Sequence, residues 1–304
     1  MAINFNEVNN FVRSTWLPYV QELMFKEIVM HYRLFEKRKL KYEKTKLQLP
    51  INAGEYPVYE HERGFEPIRV TPTDTLHMAG YDLGACPYAT IPLTEKEQDT
   101  LTSKEKVIDV IGEKIKIARK SVLKKAEINC MAEIAKAVDD GDIAATYAEI
   151  SRTDIPEWKA QIDDVGGTLN RTRMVQMYQS LTEGQDQPSI ILTTPNLWVT
   201  IEEWEAEKNR YMDPALAKIG FPNVLFMNHA PVIKSSFVPA GTVYFLNEDY
   251  FYLLLHPDAG EKGIQFKDFK EIELSTVSYA QLWFKGKVIC TNPKMQGAIR
   301  GLTE

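Results

Sequence analysis

The chain has 304 residues, with 36 Lys and Arg against 42 Asp and Glu and a formal charge of −6. Hydrophobic residues make up 44% and charged residues 26%, an ordinary balance for a folded chain, which excludes disordered and fibrous classes. The length allows one large domain or two smaller ones, with ample material for a core.

Three scattered cysteines, Cys86, Cys130 and Cys290, give neither a disulfide framework nor a zinc knuckle, and a reducing compartment suits them. The N-terminal residues lack the basic and apolar regions of a signal peptide. The most apolar run, Tyr250 to Leu255, is far short of the roughly 20 residues a membrane helix needs. The expectation is a protein that is neither secreted nor membrane-bound.

Charge is segregated along the chain. Arg33 to Lys46 holds seven basic and two acidic residues, a net +5, and Lys104 to Lys125 holds eight and three, again +5. The remainder therefore carries −16, and this asymmetry needs a physical role.

In chain order, residues 1–35 read as an N-terminal arm with helical tendency, where Val20, Leu23, Met24, Ile28 and Leu34 share a face. From Leu40 the pattern shifts toward period two. Leu47 and Leu49, then Pro50 to Gly54, then Tyr56 and Val58 predict an extended β-hairpin. A lone two-stranded ribbon is marginal in water, so it needs a neighbour. Residues 60–100, with four prolines and three glycines, read as irregular chain that is functional or packed on something.

The strongest pattern follows. Thr102 and Glu105 have capping-box spacing. Apolar or small residues then recur at Val107, Ile111, Ile115, Ala118, Val122, Ala126, Cys130, Ile134 and Ala137. A helix over 103–138 would be about 54 Å long. Lys106, Lys116, Lys120 and Lys124 lie opposite the stripe. That face is either simply solvated or meets a polyanion or an acidic protein. Asp139, Asp140 and Asp142 lack the spacing of a calcium loop and read as a solvated helix end.

Beyond it, Asn170 caps a short helix from Arg171 to about Thr182. Ile190-Ile191-Leu192 reads as a buried strand, and Pro195 opens a helix carrying Trp198 and Trp204 as packing residues. Strands are expected at 223–227, 232–234, 242–246 and 251–256, and one or two more within 273–290. The result is a mixed α/β layer without a βαβ repeat.

Motifs for chemistry are lacking. Gly286-Lys287 has no upstream glycine of a phosphate loop, and His61-Glu62 has no second histidine for zinc. His229 and His256 each flank an expected strand. A hydrolase using Cys290 or His256 is the enzymatic alternative, against the default of a buried structural cysteine. No cofactor or metal is expected. Extended elements that bury little of their own surface point to an assembly subunit rather than an enzyme.

This order of parts resembles the major capsid proteins of tailed bacteriophages, the Hong Kong 97 type fold. The local resemblance is carried by Tyr211-Met212-Asp213-Pro214, Val232-Ile233-Lys234, Phe237 to Gly241 and Tyr244 to Asn247. It continues in Gln281 to Cys290, Asn292-Pro293 and Gln296-Gly297. The resemblance implies an α+β capsid fold. It has an N-terminal arm (1–35), an extended β-hairpin loop (36–100), a peripheral domain with a long spine helix (101–140 and 266–304) and an α/β axial domain (141–265).

It further implies a self-assembled icosahedral shell around double-stranded DNA, built of hexamers and pentamers in the host cytoplasm. A portal and a separate scaffold protein would be the assembly partners. Encapsulin-type nanocompartments share the fold and enclose cargo proteins instead. A monomeric nucleic-acid-binding protein is the other non-enzymatic class. Some family members crosslink a Lys to an Asn, and no motif selects Lys44, Lys46 or Asn292 for this. The intersubunit or DNA-facing candidates are Lys37, Arg38, Lys39, Lys41, Lys44, Lys46, Lys106, Lys116, Lys120 and Lys124.

Overall fold

The computed structural model describes residues 9–10, 12–16, 30, 34, 39–41, 46–52, 76–94, 104–205, 225–227, 230–259, 263–271 and 277–304. Strands β1 (Lys39–Lys41), β2 (Lys46–Asn52), β3 (Leu76–Asp82) and β4 (Tyr88–Thr94) precede a 34-residue helix, α1 (Lys104–Ala137). A tight hairpin of β5 (Thr146–Tyr147) and β6 (Ile150–Ser151) follows, then β7 (Gln161–Asp163), α2 (Arg171–Ser180), β8 (Ile190–Thr193) and α3 (Pro195–Glu205). The remaining strands are β9 (Leu225–Met227), β10 (Ala230–Lys234), β11 (Val243–Leu246), β12 (Phe251–Leu255), β13 (Ile264–Glu271), β14 (Val277–Phe284), β15 (Gly286–Cys290) and β16 (Gly297–Ile299).

Helix α1 forms where the stripe predicts. Ile111, Ile115, Ala118, Val122, Ala126, Cys130, Ile134 and Ala137 are all buried, joined by Leu123 and Met131. This face lies on β4, β14 and β15. Three-stranded sheet β13-β14-β4 and three-stranded sheet β1-β12-β15 thus share the helix as a common floor.

The six-stranded sheet has the order β7-β16-β11-β8-β10-β9. Its central strands are apolar on both faces, because both faces are covered. Along β8, Ile190 and Leu192 face the main core while Ile191 faces a second core under α2 and α3. Along β11, Tyr244 and Leu246 take the first side, and Val243 and Phe245 the second. Asn170 caps α2, accepting from the Arg173 N–H at 2.9 Å. Trp198 and Trp204 both pack against the second core, as their place in the sequence suggested.

The ribbon differs from expectation. β2 pairs antiparallel with β3, from Lys46↔Asp82 to Asn52↔Leu76. The expected partner around Tyr56 and Val58 lies outside the described residues. Residues 76–94, expected to be irregular, form strands β3 and β4 on either side of a short turn. The local turn signal at Asn52-Ala53-Gly54 hid a partner across the chain, and Gly80 made the true return strand look like a turn. The ribbon has an inner face as well. Ile51, Ala79 and Tyr81 are buried in the main core, with Leu47 and Leu49 packed beside them. Met78 stands outward at 57% exposure.

β1 is not part of the ribbon. It pairs in parallel with β12, Lys39↔Leu253 to Lys41↔Leu255. From the arm, Val12, Met30 and Leu34 are buried in the main core, and Arg13 pairs with Asp268 at 2.7 Å.

Candidate assembly interface

The basic candidates separate into distinct environments. Lys37, Arg38 and Lys44 lie outside the described residues. Lys39 and Lys41 are exposed on β1. Lys46 sits at the base of the ribbon and pairs with Glu149 of the β5–β6 turn at 2.5 Å. It therefore has a counter-charge within its own chain. On α1, Lys106 is placed by its backbone alone. Lys116 pairs within the helix with Glu113 at 2.6 Å. Lys120 and Lys124 are exposed. The sequence pattern thus brings two of the ten onto one open helix face and scatters the rest.

Two exposed apolar residues on that face escaped the sequence reading. Ile117 is 66% and Ile128 39% exposed, in line with Lys124 and beside Lys120 and Lys125. A helical-wheel sum over the exposed side, rather than the buried stripe, carries the signal.

The base of the ribbon is built from a strained turn. Ala148 and Glu149 hold φ of 51° and 65°, the left-handed region that favours glycine. The Ala148 carbonyl accepts from the Gly80 N–H of β3 at 2.9 Å. The Tyr81 hydroxyl donates to the Cys290 carbonyl at 2.8 Å, and the Cys290 N–H donates to the Tyr147 hydroxyl oxygen at 2.9 Å. Ribbon, turn and β15 are thereby fastened at one point.

The end of α1 is the other correction. Asp139 is not a solvated terminus but fully buried. Its carboxylate accepts from the N–H groups of Gly141, Ile143 and Ala144 and from Arg152 and Arg300. Arg152 also donates to the carbonyls of Lys136 at 2.6 Å, Ala137 at 3.0 Å and Ala144 at 2.8 Å. Arg300 donates to the Val138 carbonyl at 2.6 Å. Two guanidinium groups thus satisfy the orphan carbonyls of the helix and oppose its negative dipole end. The charge pattern missed this because three adjacent aspartates look solvated, while the cations arrive from 13 and 161 residues away.

The chemistry proposed for Cys290 and His256 finds no support in their placement. Cys290 is fully buried, and burial pushes its thiol up to about 12, far from a nucleophile's range. In the β12–β15 register Phe251 faces Cys290, so His256 lies five residues away along the strand, about 16 Å. His229 lies outside the described residues. A cleft of about 230 Å³ between α1 and β15 holds Glu133, but Lys136 and Lys287 tie that carboxylate at 3.2 and 3.4 Å. Among the described residues no group of three His, Cys, Asp or Glu is placed to hold a metal. None of the helices described is long and apolar enough to cross a membrane.

No protein-family model matches the chain, and no curated protein does. Solved structures match it along nearly all its length. The capsid asymmetric unit of Cyanophage A-1(L) aligns with a TM-score of 0.66 at 17% identity, covering 88% of this chain and 90% of that one. The fold is the Hong Kong 97 capsid fold. The capsid of the native GTA particle aligns at 0.57 with 8% identity, covering 90% and 91%. The holo-SrpI encapsulin complex from Synechococcus elongatus PCC 7942 aligns at 0.56 with 9% identity, covering 90% and 88%. At these identities the likeness is one of fold. The long helix α1 and the β2–β3 ribbon fall within the segments expected to be the spine helix and the extended loop, with β3 as the ribbon's return strand.

Proposed function

We propose that the protein is a major capsid protein that assembles into an icosahedral shell around the double-stranded DNA of a tailed phage. The observation that carries this is the match to the Cyanophage A-1(L) capsid over 88% of the chain at a TM-score of 0.66. The proposed parts are the arm at 1–35, the extended loop at 36–100, the peripheral domain at 101–140 and 266–304 and the axial domain at 141–265. Hexamers and pentamers form through many modest contacts that reinforce one another because each subunit makes several at once. A portal and a separate scaffold protein complete assembly in the host cytoplasm. Lys39, Lys41, Lys120 and Lys124 meet acidic surfaces or DNA phosphates, the latter without sequence readout and with steep salt dependence. The subunit acts through its surfaces and not as an enzyme.

Electron microscopy of the purified protein tests this: closed particles or capsomers are expected. A strictly monomeric species at high concentration, with no partner able to assemble it, overturns it. The encapsulin match at 0.56 favours a second reading, a nanocompartment shell. Copurified nucleic acid supports the capsid, and a copurified cargo protein supports the nanocompartment.

A further inference from the structure

The exposed side of α1 has the build of a helix-packing strip. Ile117, Ser121, Lys124 and Ile128 follow one another at intervals of four, three and four, the spacing of a heptad seam. Ser121 and, one turn beyond Ile128, Ala132 are small enough for a neighbouring backbone to approach. Lys120 and Lys125 flank the seam on opposite sides. All six of these seam and flank residues between Ile117 and Ile128 are exposed. Lys120, Lys124 and Lys125 make no ion pair among the described residues, whereas Lys116 and Lys136 are paired to glutamates of the same helix.

A solvated face does not need an isoleucine at 66% exposure on its midline, and a phosphate-binding face gains nothing from one. Isoleucines at both ends of the midline, with Lys124 between them and Lys120 and Lys125 at the edges, are the complement of an amphipathic helix that carries Asp or Glu beside its apolar stripe. We propose that this strip is the docking site of an acidic amphipathic helix belonging to another protein, which engages the subunit during assembly. The inference rests on the shell-forming reading for when that partner acts.

The strip from Ile117 to Ile128 spans about 16 Å, three helical turns. A contact of that length falls well short of the roughly 1,200 Å² of a stable standard interface. A single docking event is therefore weak, and repetition over many copies makes it effective. Weakness of each contact also permits release when assembly ends.

Fluorescence anisotropy on the full chain tests the proposal. The probe is a labelled 21-residue peptide with a leucine seam at heptad spacing and glutamates on both flanks. It is expected to bind at least tenfold tighter than a peptide of equal composition with the seam scrambled. Ile117→Ser with Ile128→Ser should weaken it at least tenfold, and so should Lys120→Glu, Lys124→Glu and Lys125→Glu together, with unchanged circular dichroism. Equal binding of the scrambled peptide overturns the proposal. So does a 20-base-pair DNA duplex that displaces the peptide and binds the isoleucine variant as tightly as the parent, which makes the strip a DNA face. Loss of self-association in the isoleucine variant without peptide binding by the parent also overturns it and assigns the strip to a second copy. Micrographs of the same samples keep the two readings apart. Particles without peptide binding fail this inference alone, and peptide binding without particles fails the shell reading.

Discussion

Arg152 meets the carboxylate of Asp139 at 3.2 Å with both side chains withdrawn from solvent, at 1% and 0% exposure. Burying a pair of charges is costly in itself, and the geometry repays it only when the remaining donors and acceptors are satisfied. Here they are, because Asp139 also takes three backbone N–H groups and Arg152 also takes four carbonyls. The pair joins the last turn of α1 to the segment that leads into the six-stranded sheet.

Removing Arg152 leaves Asp139 buried with Arg300 as its remaining cation and strips four carbonyls of a donor. Arg152→Leu is therefore expected to lower the unfolding free energy by about 3–5 kcal/mol. Arg152→Lys keeps the charge but loses the fork that reaches several carbonyls at once, so it should recover only part of the loss. Urea denaturation of the three proteins checks this. Equal stability of Arg152→Leu and the parent would mean that the joint is incidental.

Acid should destabilise the fold through three carboxylates. At Asp139 burial pushes the pKa up, but the N–H groups of Ala144 and Ile143, with Arg152 and Arg300, outweigh it and leave it below the usual value. Asp163 is held low chiefly by its hydrogen bond from Arg173, and Glu304 by the Gly241 N–H and the Thr194 hydroxyl. In each case the folded-state value lies below the unfolded one, so the unfolded chain takes up protons first. Their stabilisation is complete above about pH 5 and is lost as pH falls below about 4 and through the lowered folded values. Urea midpoints measured from pH 7 to pH 3 should show this, and Asp163→Asn should flatten the fall. A midpoint independent of pH over that range refutes it.

The thiols give a direct reading of packing. Burial raises all three thiols, Cys130 well above 9 and Cys290 to about 12, but Cys130 and Cys290 are out of solvent whereas Cys86 is partly exposed. Iodoacetamide at pH 8 is expected to label Cys86 in the native protein, and Cys130 and Cys290 only after unfolding. Peptide mass spectrometry resolves the three sites. Rapid native labelling of Cys290 would reopen the case for a nucleophile.

How much of this was legible in the sequence depends on the range of the interactions. Helix α1 was readable because its stripe repeats along a 34-residue helix, and from Ile111 to Ala137 every repeat is buried. β8 was readable because a strand covered on both faces is apolar without interruption. The partner of β2 was not, since pairing Leu49 with Ala79 is a choice made across 30 residues by core burial. Strand β13 also escaped, because Ile264, Phe266 and Phe269 are interrupted by a register shift between Lys267 and Lys270. The Asp139 joint needed Arg300, and no local pattern announces a partner at the other end of the chain.

Deleting residues 1–35 tests whether this segment is a detachable arm. Read as an arm, this segment should leave the compact half intact. The buried Val12, Met30 and Leu34 argue otherwise, each contributing about 1.5–3 kcal/mol when fully buried. The truncated chain is therefore expected to lose several kcal/mol and to melt well below the parent by calorimetry. An unchanged melting temperature would return the segment to the status of a detachable arm.

The basic residues of β1 and the ribbon base can be tested together. Lys39→Glu and Lys41→Glu act on the two exposed side chains of β1. Lys46→Glu places a carboxylate against Glu149, where an ion pair between two exposed groups contributes no more than about 1 kcal/mol. The triple variant should therefore stay folded, with a melting temperature within a few degrees of the parent. In a shell, however, each subunit repeats the reversed charges, and like charges at every copy of a contact accumulate. Sedimentation and electron microscopy are expected to show fewer or malformed particles from a folded subunit. Normal particles would assign these lysines to solvent, and an unfolded subunit would show that the ribbon base carries more of the fold than its exposed ion pair implies.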